Sequence, residues 1–287
     1  MTVHLEPSFE ELEKTLRRLR EEELVYYDEK KDQGAVLKYY RKVSIRKPKF
    51  QQLHSLLERT HKNKLPYFIS KDQFLYTWVD LRPDYTIKSI YSGKENDPAD
   101  LIRKDFEVKR RHEEFQDFLA KRDQTEFRQP IPEELKFNAE HIVPQSWYNS
   151  REPMKGDLHH LFVCEPSCNA VRSNFPYCDF PDYTPESPAE TIRNRCGVAA
   201  NNLFEPEFGK GAAARAMLYF LLRYPKSIEK RFRSKINFNL LRNWNRQFPP
   251  DLYEKHRNQA IYHIQGNRNP FIDFPELADI LYIPLKW

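Results

Sequence analysis

Phe137-Asn138-Ala139-Glu140-His141-Ile142-Val143-Pro144-Gln145-Ser146-Trp147 sets a carboxylate beside an imidazole and then closes the segment with a proline. On a regular strand, neighbouring side chains point to opposite faces. Glu140 and His141 can therefore serve one site only where the strand is irregular or ends. Pro144 has no N–H to give to a sheet and fits that ending. Downstream stand Asp157-Leu158-His159-His160-Leu161-Phe162-Val163 and Cys168-Asn169-Ala170-Val171-Arg172-Ser173-Asn174. The apolar run Leu161-Phe162-Val163 reads as a second strand. Ser167 to Arg172 reads as the start of a helix, with Asn169 and Arg172 on one face. The predicted unit is strand, loop, strand, helix, with a metal held between strand and helix.

Together these residues supply a general base, hard oxygen ligands for a divalent cation, and a cation for a phosphate. Hydrolysis of a phosphodiester requires that set. One carboxylate and one amide oxygen leave most of an octahedral Mg²⁺ shell to water and substrate phosphate. His141 must be neutral to take a proton from water, and a nearby cation favours the neutral form. Its second ring nitrogen needs an acceptor to fix the tautomer, and the sequence does not name one. Arg172 suits a phosphate by charge and by forked geometry. His159 and His160 alternate faces on a strand, so one at most faces the site, and His160 is favoured. Each residue alone also has a bland reading: a core histidine for His141, a helix cap for Asn169. Their company is what points to chemistry.

The arrangement resembles the ββα-metal (His-Me finger) nucleases, and the endonuclease I family most closely. In that family Glu-His-x-x-Pro precedes Asp-Leu-His-(Asn/His)-Leu and then Asn-x-x-Arg-(Ser/Gly)-Asn. Here these stand as Glu140 to Pro144, Asp157 to Leu161 and Asn169 to Asn174. Ala214-Arg215-Ala216-Met217-Leu218-Tyr219-Phe220 and Gln265-Gly266-Asn267-Arg268-Asn269-Pro270-Phe271 also resemble the family. The resemblance is strong over residues 137–175 and 209–276 and weaker over 74–93. It implies His141 as general base, with Glu140 and Asn169 as direct ligands of Mg²⁺, for which Mn²⁺ or Ca²⁺ could substitute in binding. Gln145, Asn174, Asn267 and Arg268 join Arg172 and His160 as candidate phosphate contacts. Asn267 and Arg268 have a second reading, as ties between the C-terminal tail and the core.

At 287 residues, with 39% hydrophobic and 14% aromatic residues, the chain is long and apolar enough to bury a core. Seven glycines against 21 prolines predict loops stiffened by proline. No run has the length of a membrane span, and the polar start Met1 to Glu6 lacks an apolar signal core. A cytoplasmic protein with no membrane partner is therefore expected. The net charge of +5 is mild. Its distribution says more: Arg41 to Lys49 carries no acid, and Lys226 to Lys235 carries Glu229 alone. Such clusters neutralise backbone phosphates without reading sequence, although a solvated surface explains either one equally well.

The fold class expected is α+β: a mostly helical body around a small ββα-metal unit, with an additional β-hairpin. Residues 1–70 read as a helical N-terminal arm and 71–287 as the nuclease domain. A helix is expected over 8–24, capped by Ser8, and a short one around Leu53, Leu56 and Leu57. Phe74 to Leu81 and Thr86 to Tyr91 read as the hairpin, turned at Arg82 to Tyr85. Asp97-Pro98 opens a charged helix running to about Lys121, and residues 125–134 form a proline-containing connection. Residues 176–209 read as irregular. Gly211 to Tyr224 reads as a buried helix in which Arg215 and Arg223 need partners. A helix around Leu240, Leu241 and Trp244 is followed by one capped by Asp251 and stopped by Gly266.

All 4 cysteines, Cys164, Cys168, Cys178 and Cys196, fall in one stretch. Without a visible secretion signal, disulfides are the less favoured use. A structural Zn²⁺ on four thiolates would brace the unit, with buried free thiols as the alternative. The leading expectation is a metal-dependent endonuclease, monomeric, acting on DNA with little sequence preference, with action on RNA left open. An inhibitor or other protein partner would bind the N-terminal arm. A non-catalytic nucleic-acid-binding protein retaining this fold is the alternative, and the intact Glu140, His141 and Asn169 argue against it. A zinc hydrolase built on His159-His160 lacks further ligands at zinc spacing.

Overall fold

The computed structural model describes residues 6–120, 138–184 and 195–284. The connection expected over 125–134, the end of the charged helix at Lys121 and the Phe137 that opens the central stretch lie outside those residues. The expected α+β class is observed: helices dominate, with three two-stranded antiparallel sheets among the described residues.

Helix α1 (Glu6–Arg20) buries Leu12 and Leu19. Ser8, expected as its cap, lies within it. Helix α2 (Glu29–Tyr40) is capped by Asp28, which accepts from Lys31 N at 3.0 Å. Helix α3 (Phe50–Thr60) buries Leu53, Leu56 and Leu57 at one-turn spacing. The leucines of α1 and α3 enter the same two apolar clusters that hold the rest of the chain together. Asp32 of α2 pairs with Arg268, 236 positions away.

The hairpin expected over 74–91 does not form. Helix α4 (Tyr67–Ile69) runs directly into a π-helical segment, Ser70–Val79. Aromatic and β-branched residues there suit a strand by composition. The buried positions, however, cluster at 70–71, 75–77 and 79, which is a helical recurrence and not strand alternation. Burial of Lys71 is compensated by Asp105, 2.6 Å from its ammonium. Strand β1 (Ile87–Lys88) pairs instead with β2 (Glu95–Asn96), further along. Helix α5 (Pro98–Ala120) follows, with Asp97 accepting from Ala99 N at 2.7 Å.

Strands β3 (Ala139–His141) and β4 (Leu161–Val163) pair antiparallel, with Glu140 opposite Phe162 and His141 opposite Leu161. Alternation divides the interior between them. Phe162 enters the cluster around the later helix 210–223, whereas Leu161 and Val163 enter the one beneath α1 and the π-helical segment. Asp105 of α5 fixes the start of β3, accepting from both N (2.9 Å) and Nδ2 (2.8 Å) of Asn138. Asp80 and Arg257 fix β4. Asp80 takes the Val163 N–H at 2.8 Å, and Arg257 pairs with Asp80 and donates to the carbonyls of Leu158 and Leu161. Helix α6 (Pro166–Arg172) comes next, with proline in its first turn.

The stretch expected to be irregular contains a hairpin, β5 (Gly197–Ala200) with β6 (Leu203–Pro206). Its turn is Asn201-Asn202, at φ of 53° and 59°, the left-handed pair that a two-residue hairpin turn demands. Helix α7 (Lys210–Arg223) is the buried helix foreseen. Arg215 donates from Nε to Glu254 at 2.9 Å, and Arg223 lies 3.9 Å from Glu58. The remaining helices are α8 (Lys230–Arg233), α9 (Phe238–Gln247), α10 (Leu252–Gln265), α11 (Pro270–Asp273) and α12 (Leu277–Ile280). Asp251 caps α10, and Gly266, at φ 93°, ends it.

Candidate active site

Strand β3 ends at His141, and the side chains of Glu140 and His141 meet different surroundings. The His141 ring has a defined tautomer. Its Nε2–H donates to the Lys155 carbonyl at 2.8 Å. This leaves Nδ1 with a lone pair, toward which the Gln145 amide Nε2 donates at 3.2 Å. Burial pushes its pKa down to about 3, and neighbouring His160 adds to the effect. The ring is thus a neutral imidazole held by a main-chain acceptor.

Glu140 sits in a phenolic and cationic cage. Its Oε1 accepts the Tyr91 hydroxyl at 2.9 Å and lies 3.3 Å from Arg172 Nε. Burial lifts its pKa to about 7, against the opposing pull of Arg172 and then of Tyr91. A carboxylate so poorly compensated in its ionised form is one that an added cation would stabilise. Asn169, in the middle of α6, donates Nδ2 to the Ala139 carbonyl at 3.0 Å. That bond ties α6 to β3 one residue before Glu140. It also aims the amide so that Oδ1 accepts nothing from any described residue.

The other expected site residues divide between edge and interior. Asn174 is exposed, and its Nδ2 lies 3.4 Å from Ser146 Oγ. Gln145 is half-buried against His141. Arg172 is fully buried: Nη2 donates to the Ile142 carbonyl at 2.6 Å and Nη1 to the Ser173 carbonyl at 3.1 Å. Its guanidinium is therefore turned inside the protein, bonded to the turn after β3 and ion-paired with Glu140. His160 is also fully buried, with Nε2 2.5 Å from the Met154 carbonyl and its ring centroid 5.4 Å from that of His141. Asn267 and Arg268 form the tie between tail and core. Arg268 binds Asp32 at 2.9 Å and Asp273 at 2.8 Å, and Asn267 Nδ2 meets the Tyr219 hydroxyl at 2.6 Å.

Behind the histidines lies a buried network centred on Asp157. It accepts from the hydroxyls of Tyr219 (2.7 Å) and Tyr224 (2.9 Å), the Gln265 amide (3.0 Å) and the His159 N–H (3.0 Å). Burial works to raise its pKa, but His61, His159, His160 and the Gln265 hydrogen bond hold it below the usual carboxylate range.

The four-thiolate zinc site does not exist. Cys168 and Cys196 are joined in a disulfide, which binds α6 to β5. Cys164 is a buried free thiol and Cys178 a partly buried one. Two sulfurs committed to each other cannot be zinc ligands, and spacing along the chain carried no sign of that pairing. The basic stretches 41–49 and 226–235 are largely exposed, between α2 and α3 and around α8.

The sequence singles out neither Tyr91 nor Lys155. Tyr91 reads as the end of a strand, and nothing in its neighbours marks it as a partner for Glu140. Lys155 acts through its carbonyl, which every residue has.

Comparison with known proteins gives a consistent result. The family model described as Endonuclease I matches residues 51–276. An extracellular ribonuclease of Bacillus amyloliquefaciens is 30% identical over 162 residues, 51% of this chain and 54% of its own length. An extracellular deoxyribonuclease of Aeromonas hydrophila is 32% identical over 125 residues, covering 42% of this chain and 50% of its own. A periplasmic deoxyribonuclease of the same organism is 30% identical over 125 residues, 42% and 48% of the two chains. The chain spans about half the length of the curated relatives it matches. These relatives work outside the cytoplasm, which overturns the cytoplasmic expectation. The Cys168–Cys196 bond agrees, since disulfides persist in oxidising compartments.

Proposed function

The chain belongs to the endonuclease I family, and from that premise we propose that it is a metal-dependent endonuclease acting outside the cytosol. It hydrolyses phosphodiester bonds of DNA or RNA with little sequence preference. The observation that carries this reading is the state of His141. Its Nε2–H is committed to the Lys155 carbonyl, so Nδ1 is the nitrogen that accepts a proton, once water takes the place of the Gln145 amide that donates to it at 3.2 Å. As it does so, the Lys155 carbonyl bonds a ring that has become cationic, and such charge-assisted hydrogen bonds are the stronger ones.

Glu140 and Asn169 are the residues that would hold the cation. Their fit rests on a buried carboxylate with a raised pKa and on the uncommitted amide oxygen of Asn169. Two hard oxygens suit Mg²⁺, with Mn²⁺ or Ca²⁺ as substitutes in binding. Bound there, the cation would stabilise charge on the phosphate and the departing 3′ oxygen. Arg172 and Tyr91 hold the Glu140 carboxylate in one orientation, and Asn138, gripped by Asp105, holds the strand that carries it. Asn174, exposed beside Ser146, and Gln145, half-buried beside His141, are the side chains assigned in this reading to substrate phosphates.

The test is nicking of supercoiled plasmid by the purified protein, with and without EDTA. Nicking that requires Mg²⁺ and stops with chelator is expected. Cleavage unaffected by chelator, or tight DNA binding with no cleavage at any Mg²⁺ concentration, would overturn the assignment.

A further inference from the structure

The Lys155 carbonyl that orients His141 belongs to a peptide group gripped at its other end. The Gly156 N–H of that same Lys155–Gly156 peptide donates to Glu152 Oε2 at 2.9 Å. The second oxygen, Glu152 Oε1, takes the Tyr67 N–H at 3.1 Å, so the carboxylate is fixed by two main-chain donors. Ser70 Oγ donates to the Gly156 carbonyl at 2.6 Å, and Lys155 N donates to the Arg151 carbonyl at 3.1 Å. A β-carbon on Gly156 would stand 1.9 Å from the Leu65 carbonyl oxygen, so the turn is packed directly on that backbone. The peptide cannot rotate away from the imidazole without breaking several of these contacts at once.

We propose that Glu152 is a positioning residue for His141, acting through the Lys155–Gly156 peptide. The inference rests on the reading of His141 as general base. A carboxylate bonded to a peptide N–H polarises the planar amide and makes its carbonyl a better acceptor. The chain carboxylate, peptide, imidazole thus does what a carboxylate in direct contact with a catalytic histidine does. It fixes the Nε2–H tautomer and the ring plane, and it supports the positive charge that develops on the ring. Glu152 itself stands at an exposed position, so the amide group conveys its influence and substrate need not touch it.

The test pairs Glu152→Gln with a readout that a mere loop staple would leave unchanged. ¹⁵N-labelled histidine reports the tautomer of His141 by long-range proton–nitrogen correlation at neutral pH, without metal or substrate. The wild type should show Nε2–H alone. Glu152→Gln should show a measurable Nδ1–H fraction, with kcat for cleavage down roughly tenfold and KM unchanged, a smaller loss than the roughly 10²- to 10⁴-fold that a positioned base itself contributes. Glu152→Asp, which keeps the charge but withdraws the oxygens by one methylene, should shift the tautomer in the same direction and serves if the glutamine variant folds poorly. An unchanged tautomer in a folded variant overturns the proposal. A shifted tautomer with an unchanged rate supports the link from Glu152 to His141 and instead removes His141 from the role of base.

Discussion

Tyr91 gives its phenolic proton to Oε1 of Glu140 across 2.9 Å, while its oxygen lies 2.8 Å from the hydroxyl of Tyr177. The candidate metal ligand is therefore held from behind by a residue in the β1–β2 turn region, more than forty positions earlier in the chain. Without that phenol and Arg172, a carboxylate so deeply buried would have little reason to stay ionised.

Tyr91→Phe keeps the ring and deletes the donor. A hydrogen bond to a charged group is worth about 1.5–3 kcal/mol, so the Mg²⁺ concentration for half-maximal cleavage should rise at least several-fold. The rate at saturating Mg²⁺ should change much less. A titration curve superimposable on the wild type would show that the phenol only packs.

His141→Ala removes the proton acceptor and leaves both proposed ligands. Cleavage should drop by roughly 10²- to 10⁴-fold, with DNA and Mg²⁺ still bound. Glu140→Ala and Asn169→Ala should regain part of their lost rate at high Mg²⁺. Rates measured across Mg²⁺ concentrations for the three variants check this. Restoration of His141→Ala by metal alone would remove it from the role of base.

The Cys168–Cys196 bond closes a loop with a sequence separation of 28. Removing such a constraint costs roughly 3–4 kcal/mol in the chain-entropy account. Cys196→Ser should therefore melt well below the wild type. It should also lose activity as the melt is approached, because Cys168 neighbours Asn169 on α6. Peptide mapping under non-reducing conditions checks the pairing, and purified protein should contain no stoichiometric zinc.

Acid should destabilise the fold in two stages. Burial lowers the His159 pKa from 6.5 to about 4, and it lowers those of His61 and His160 in the same direction. Below about 6.5 the unfolded chain binds protons that the folded one refuses, so stability falls as pH drops toward 4. Asp157 behaves as a depressed carboxylate: its contribution is present above the unfolded value and is lost as pH falls through the folded one. The melting temperature should decline from pH 7 to 4 and then more steeply. His159→Gln should flatten the first limb. A melting temperature constant from pH 7 to 4 would contradict this account.

The frame at the centre of the molecule could be read from the sequence because side chains at fixed spacing announce it. The strand Leu161 to Val163 beside the one carrying Glu140 and His141, the helix that brings Asn169 against it, and the ends of α10, with Asp251 and Gly266, are of that kind. Three features could not be read, each for its own reason. Composition alone made Phe74 to Leu81 a strand, and only burial recurring every four to five residues reveals a helix. The fork of Arg172 suits a phosphate as well as it suits carbonyls, and the fold turns it inward. The acceptor for His141 is a main-chain oxygen, which no residue type announces.

The seat of Gly156 on the Leu65 carbonyl has a consequence for anyone who varies this chain at random. A library diversified at position 156 and selected for nuclease activity should return glycine. A library diversified at position 65 should return many residues, because its partner is an oxygen that every amino acid brings. The two positions would then show no covariation despite being in direct contact. Methods that infer proximity from paired substitutions would miss the very contact that holds the turn beside His141.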